Sequence, residues 1–133
     1  MYVILIHKNI MYICPMYSSE LIKGTLKTIV LKLLKEQGKM YGYEITQRVK
    51  ELTNDKIQIT EGALYPTLHL LEKNGEVVTE TEFIGKRVRK YYTITPKGNI
   101  TVDLKVNEFV DFMNTMKFLL DVELKVANVQ GNR

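Results

Sequence analysis

A mainly α-helical fold with one small β-hairpin and a long closing helix is what this sequence predicts, on three observations. Three stretches between Ser18 and Asn74 carry apolar residues at helical spacing. Two runs rich in Val, Thr and Tyr between Val77 and Ile94 read as a hairpin. From Lys97 to Gln130 there is no proline, and Gly98 is the only glycine, so a single long helix can close the chain. With 133 residues, 45% of them apolar, the chain can bury one modest core and is read as one folded domain with extensions.

Each element has its own signal. Ser18 or Ser19 can cap a first helix with Leu26, Ile29, Val30, Leu33 and Leu34 on one face, stopped at Gly38. Ile45, Val49 and Leu52 define a short second helix that ends at the turn-forming pair Asn54-Asp55. Ile57-Gln58-Ile59 alternates like a brief strand. Thr60 is placed to cap a third helix, in which Leu64, Leu68 and Leu71 follow the i, i+4, i+7 rule up to Asn74-Gly75. Pro66 removes one backbone donor within it and crowds the Gly62 carbonyl, which predicts a bent or irregular first turn. Val77–Phe83 and Val88–Ile94 make the hairpin around Ile84-Gly85-Lys86-Arg87, and Thr95-Pro96 supplies an N-cap and an N1 proline for the last helix.

The order of helix, helix, helix, hairpin and long helix is the winged helix-turn-helix plan with a helical extension. The expected organisation is an N-terminal extension over 1–17, a winged-helix domain over 18–95, a closing helix over 96–128 and a frayed tail over 129–133.

Composition narrows the chemistry. Nineteen Lys and Arg against fifteen Asp and Glu give a net charge of +4, which suits a polyanionic partner. One cysteine, Cys14, excludes an internal disulfide, and the two histidines, His7 and His69, offer no Cys/His metal-ligand spacing. This fits a reducing cytoplasm. No apolar run approaches the ~20 residues of a membrane-spanning helix, and no membrane partner is expected. His7, Lys8 and Asn9 interrupt the opening apolar run, which has no basic leader, against a signal peptide. There is no Gly-rich phosphate loop, nucleophile elbow or metal cluster, so neither catalysis nor a cofactor is expected.

Two features point to a function. A helix the size of the third fits a major groove, and a basic hairpin beside it can reach the backbone. With Leu64, Leu68 and Leu71 inward, Gly62, Pro66, His69 and Lys73 turn outward, flanked by Thr60, Glu61 and Tyr65. Tyr65 is read equally as a phosphate donor or as a ring packed under the helix, and His69 as a surface residue or phosphate donor rather than a metal ligand. From Ile84 to Gly98 there are five basic residues, Lys86, Arg87, Arg89, Lys90 and Lys97, and no acidic one. That clustering suits phosphate contact, although charge alone fits a solvated hairpin tip equally well.

The second feature is the last helix. Val102, Val106, Phe109, Met113, Met116 and Leu120 are spaced 4, 3, 4, 3, 4, a heptad seam. Packing on the chain's own first helix would also use such a stripe. Ile100, Leu104, Phe112, Leu119, Val122 and Leu124 widen the apolar surface beyond what a small domain covers, which favours a dimer interface. Phe109 and Met113 are also a candidate pocket for a small apolar or aromatic effector, against the plainer reading of core packing.

The runs Glu20-Leu21-Ile22-Lys23-Gly24-Thr25-Leu26, Tyr41-Gly42-Tyr43-Glu44-Ile45, Glu61-Gly62-Ala63-Leu64-Tyr65-Pro66 with Leu68-His69 and Leu71-Glu72-Lys73, Arg89-Lys90-Tyr91-Tyr92 and Thr95-Pro96-Lys97-Gly98 together resemble PadR-like transcriptional regulators over about Glu20 to Leu120. The resemblance implies a homodimeric winged-helix regulator, usually a repressor, whose closing helix packs on its partner subunit. It implies that Thr60 to Lys73 reads the major groove of an operator and that Phe83 to Tyr92 touches the adjacent backbone. The length fits the branch with one helix after the wing. Members often respond to phenolic acids, drugs or cell-envelope stress. Phe109 falls where some multidrug-sensing relatives stack a planar ligand, but this chain has no tryptophan.

Two departures stand out. Relatives begin just before Glu20, so Met16 is a natural start, and residues 1–15 are read as an over-extended start, a poorly ordered arm or a membrane-touching arm. The wing reads Gly85-Lys86-Arg87-Val88-Arg89 where relatives carry more glycine. The competing readings are a winged-helix protein-interaction module and a ligand sensor without specific DNA binding.

Overall fold

A computed structural model describes residues 2–6, 10–14 and 17–121. The element order is β1 (Tyr2–Ile6), β2 (Ile10–Cys14), α1 (Ser19–Gln37), β3 (Met40–Tyr41), α2 (Gly42–Leu52), α3 (Glu61–Lys73), β4 (Val77–Ile84), β5 (Arg87–Ile94) and α4 (Pro96–Leu119). The mainly helical winged helix-turn-helix plan read from the sequence is the plan observed. The chain divides into two units, residues 1–102 and 103–133.

Within the first unit the helix ends follow their caps. Ser18 accepts from the Leu21 N–H at the start of α1, and Gly38, at φ 84°, closes it. Thr60 accepts from the Ala63 N–H at the start of α3, at 3.2 Å. α3 runs unbroken from Glu61 to Lys73 through Pro66. Leu64, Leu68 and Leu71 are at 0% exposure, facing a core built with Leu26, Val30, Leu31, Leu33, Leu34, Ile45, Val49, Val77 and Tyr92. Leu31, which the one-face reading of α1 omits, is fully buried because α1 packs on both α3 and β5.

The wing is a three-stranded antiparallel sheet in the order β3-β5-β4. β4 and β5 pair from Val77↔Ile94 to Ile84↔Arg87, leaving the two-residue turn Gly85-Lys86. Gly85 takes φ 62° and Lys86 does not take positive φ, the pattern of a type II′ hairpin turn.

Three sequence expectations change. Ile57-Gln58-Ile59 forms no strand: the Ile57 N–H donates to Thr53 Oγ1 at 3.0 Å, so the backbone is satisfied locally while Ile59 is buried. The sheet takes its third strand from Met40-Tyr41 instead, which pairs with Tyr92 and Tyr91 of β5. Leu52, placed on the inner face of α2, is exposed at that helix's last residue. At the N-terminus, β1 and β2 pair antiparallel from Tyr2↔Cys14 to Ile6↔Ile10, as two β-prone runs flanking a polar break can do. His7 and the rest of 7–9, with 15–16, lie outside the described residues. Among the described residues no helix is long and apolar enough to cross a membrane, and no group of three or more His, Cys, Asp or Glu is placed to hold a metal ion.

One corner joins α3, the wing and the start of α4. Glu76 is 4% exposed, and its Oε2 lies 3.0 Å from Lys27 Nζ, an ion pair outside hydrogen-bond geometry. Its carbonyl accepts from the Thr95 N–H at 3.0 Å. Thr95 Oγ1 donates to the Gly75 carbonyl at 2.6 Å and accepts from the Gly98 N–H at 3.1 Å, capping α4. A Cβ on Gly98 would overlap the Glu76 carbonyl oxygen and come within 2.7 Å of Ile94 Cγ1. Val102, the first residue of the expected seam, is at 0% exposure and belongs to this unit's core rather than to a free surface.

The second unit continues α4 to Leu119, with Asp121 at φ 49° just beyond. Residues 122–128 of the expected helix, Val122 and Leu124 among them, and the tail 129–133 lie outside the described residues. Phe109, Met113 and Leu120 of the seam are exposed, as are Leu104, Val110, Phe112, Phe118 and Leu119, while Val106 and Met116 are half-buried.

Because the atoms crowding Gly98 are largely backbone, Gly98→Ala should lower the unfolding free energy by about 3 kcal/mol, read as a shifted urea midpoint at unchanged slope. A loss below about 0.5 kcal/mol would show that the corner opens freely.

Candidate nucleic-acid interface

Burial of one stripe of α3 fixes what the helix offers outward. Thr60, Glu61, Gly62, Tyr65, Pro66, His69 and Lys73 are all exposed in the structure. Tyr65 is 39% exposed, and its hydroxyl end rests on Gly42, where an added Cβ would stand 2.7 Å from Oη. The ring therefore braces the start of α2 while one edge stays in water. Glu61 sits in the first turn and Lys73 in the last, each complementing the helix dipole.

The wing residues separate by strand alternation, since neighbours in a strand point to opposite faces. Lys90 and Tyr92 share one face, on which Tyr92 is buried in the core; Arg87, Arg89 and Tyr91 share the other. Lys90 accordingly reaches back to α3, donating to Glu72 Oε2 at 3.1 Å, with its ammonium 5.6 Å from the Tyr92 ring centroid. Thr79 Oγ1 donates to the other Glu72 oxygen at 2.9 Å. Lys90, chiefly, and Thr79 hold the Glu72 carboxyl below its ordinary pKa. Lys97 donates to the Asn74 carbonyl at 2.6 Å.

Of the five basic residues that the sequence groups together, two are thus engaged at the α3–wing corner. Among the described residues, Lys86, Arg87 and Arg89 form no ion pair with a carboxylate. The Arg89 guanidinium lies 4.4 Å from the Tyr41 ring centroid. Hydrogen bonding with Tyr91 holds the Arg89 pKa above its ordinary value.

Sequence reasoning missed the β3 side of this face. Tyr41 stacks with Tyr43 at 6.4 Å between centroids and meets Tyr91 edge-on at 5.6 Å. Lys39 pairs with Glu80 at 3.3 Å and with Glu82, and its pKa is raised, chiefly by the Glu82 hydrogen bond. The run Lys39-Met40-Tyr41-Gly42-Tyr43 held the only hint, but two residues are too few to announce a strand. The Phe109 and Met113 pair lies in the second unit, exposed on α4.

Residues 30–103 match the sequence pattern of the transcriptional regulator PadR-like family. A transcriptional regulator from Clostridium thermocellum is similar at 35% identity, covering 76% of this chain and 95% of that one, with a TM-score of 0.70. A PadR family transcriptional regulator from Eggerthella lenta shares 30% identity over 78% of this chain and 88% of its own, with a TM-score of 0.67. A protein from Lysinibacillus sphaericus is 34% identical over 109 residues, 80% of this chain and 97% of that one.

The Glu72 shift has a signed consequence. A carboxylate whose folded pKa lies below its unfolded value adds stability above the unfolded value and loses it as the pH falls through the folded one. Glu72→Gln should therefore flatten the acid limb of stability below pH 4.5, measured by urea unfolding across pH. An unchanged acid limb would remove Glu72 from the corner's electrostatics.

Proposed function

This chain belongs to the transcriptional regulator PadR-like family, and from that premise we propose that it is a homodimeric, sequence-specific DNA-binding repressor. The carrying observation is the coincidence of an outward α3 surface with three wing cations, Lys86, Arg87 and Arg89, that form no ion pair with a carboxylate among the described residues. Residues 18–95 form the DNA-binding domain. Thr60, Glu61, Gly62, Tyr65, Pro66, His69 and Lys73 meet the major groove, while Lys86, Arg87 and Arg89 meet backbone phosphate. Lys90 supports the wing from the α3 side.

The closing helix is the dimerisation element. Phe109, Met113 and Leu120, with Val106 and Met116, supply its seam, and exposed Phe112, Phe118 and Leu119 enlarge it. An apolar face left this open on a soluble regulator marks a partner surface, and a second copy supplies the matching heptads. The Phe109–Met113 surface is also where a small apolar or aromatic effector would enter. Repression follows if the bound dimer occupies promoter DNA in the cytoplasm. A protein-interaction module without DNA binding is the second reading, and the open wing cations weigh against it.

The test is fluorescence anisotropy of the chain against its own upstream promoter duplex and a scrambled duplex through a salt series. Promoter preference with steep salt dependence is expected, and the Arg87→Ala, Arg89→Ala double variant should flatten the log–log salt slope by about two. Lys90→Ala should leave that slope unchanged. Substitutions at His69 and Lys73 should alter sequence preference. Equal, weak binding to both duplexes would overturn specific regulation by this promoter.

A further inference from the structure

Arg89 reaches the face of the sheet that also carries Arg87 and Tyr91, and its guanidinium is held over the Tyr41 ring. Tyr41 is fixed in turn. Its backbone pairs in register with Tyr91, its N–H donates to Glu44 Oε2 at 3.0 Å, and its ring is wedged between those of Tyr43 and Tyr91. The carboxylate directly across the strand pair from Arg89 is Glu82, and Lys39 takes both it and Glu80. The Lys39 ammonium also lies 4.9 Å from the Tyr91 ring centroid.

The result is a planar cation centred 4.4 Å from an aromatic ring, with its nearest cross-strand acid engaged elsewhere. A cation–π contact orients the guanidinium without cancelling its charge. Orientation before binding lowers the side-chain entropy lost on complex formation. Arg89 stands at a cleft of about 450 Å³ lined by Tyr41, Tyr43, Arg87, Val88 and Arg89. Its charged lining is entirely basic, and Tyr43 is exposed beside it.

We propose that Tyr41 is a positioning residue for duplex binding: its ring aims Arg89 into this cleft, where Arg87, Arg89 and the Tyr43 hydroxyl seat a backbone phosphate while Lys39 holds Glu82 away. This deepens the DNA-binding reading above and rests on it. It extends the contact surface from α3 and the wing tip to β3 and the start of α2.

A double-mutant cycle on the full-length chain tests it, with a random-sequence duplex as probe because a phosphate contact is independent of sequence. Tyr41→Phe keeps the ring and should bind as the parent does. Tyr41→Leu should bind about three- to tenfold more weakly, as a lost cation–π contact together with part of a phosphate contact implies. In the Arg89→Ala background the same change should cost nothing further. Arg89→Lys, which leaves the tyrosine cluster intact, should keep the salt slope yet lose affinity because an ammonium does not lie flat on the ring. Thermal unfolding of each variant reads the fold separately. Parent-like binding by Tyr41→Leu, or a full additional loss in the Arg89→Ala background, would overturn the positioning role and leave the DNA-binding reading standing. Failure of the parent chain to bind any duplex would overturn both.

Discussion

Leu64, Leu68 and Leu71 have no contact with water, and much of the first unit's surface depends on that stripe. Burying it sets the rotation of α3 about its own axis, so the residues offered outward follow from the residues taken inward. A polar residue at any of the three positions would leave an unpaired group in the core or turn the helix. The same stripe puts the end of α3 next to the wing, where Glu72 meets Thr79 and Lys90. The Glu76 carbonyl and Thr95 then tie the start of α4 to that corner.

Strand alternation divides the work of the wing. One face of β5 sends Tyr92 into the core and Lys90 to Glu72, and this fastens the hairpin to α3. The other face carries Arg87 and Arg89 beside an aromatic cluster from β3 and α2. The cation paired with Glu72 and the cations without a carboxylate partner thus lie next to each other in sequence but on opposite sides of the sheet. Lys39 balances Glu80 and Glu82 of β4, which would otherwise offset the positive charge of Arg87 and Arg89.

The fold was legible where local chemistry and burial agree. Ser18, Thr60 and Thr95 cap their helices, Gly38 ends α1, and the alternation of β4 and β5 sets the hairpin. Features that depend on distant partners were not. The two residues of β3 become a strand only because β5 lies beside them, and Ile57–Ile59 stays a loop because Thr53 satisfies its backbone. Heptad spacing cannot tell that Val102 is consumed by the core while Phe109 and Met113 stay open. Nor does sequence say which lysines already have carboxylates: Lys90 has Glu72, and Lys39 has Glu80 and Glu82.

On the proposed reading, two copies joined through their closing helices present two α3 helices to one duplex. Hydroxyl-radical footprinting of the intact chain on its own promoter DNA measures this most directly. The account predicts two symmetric protected patches whose centres lie about 34 Å apart, or a multiple of that. A single protected patch, or uniform protection without a repeat, would contradict it.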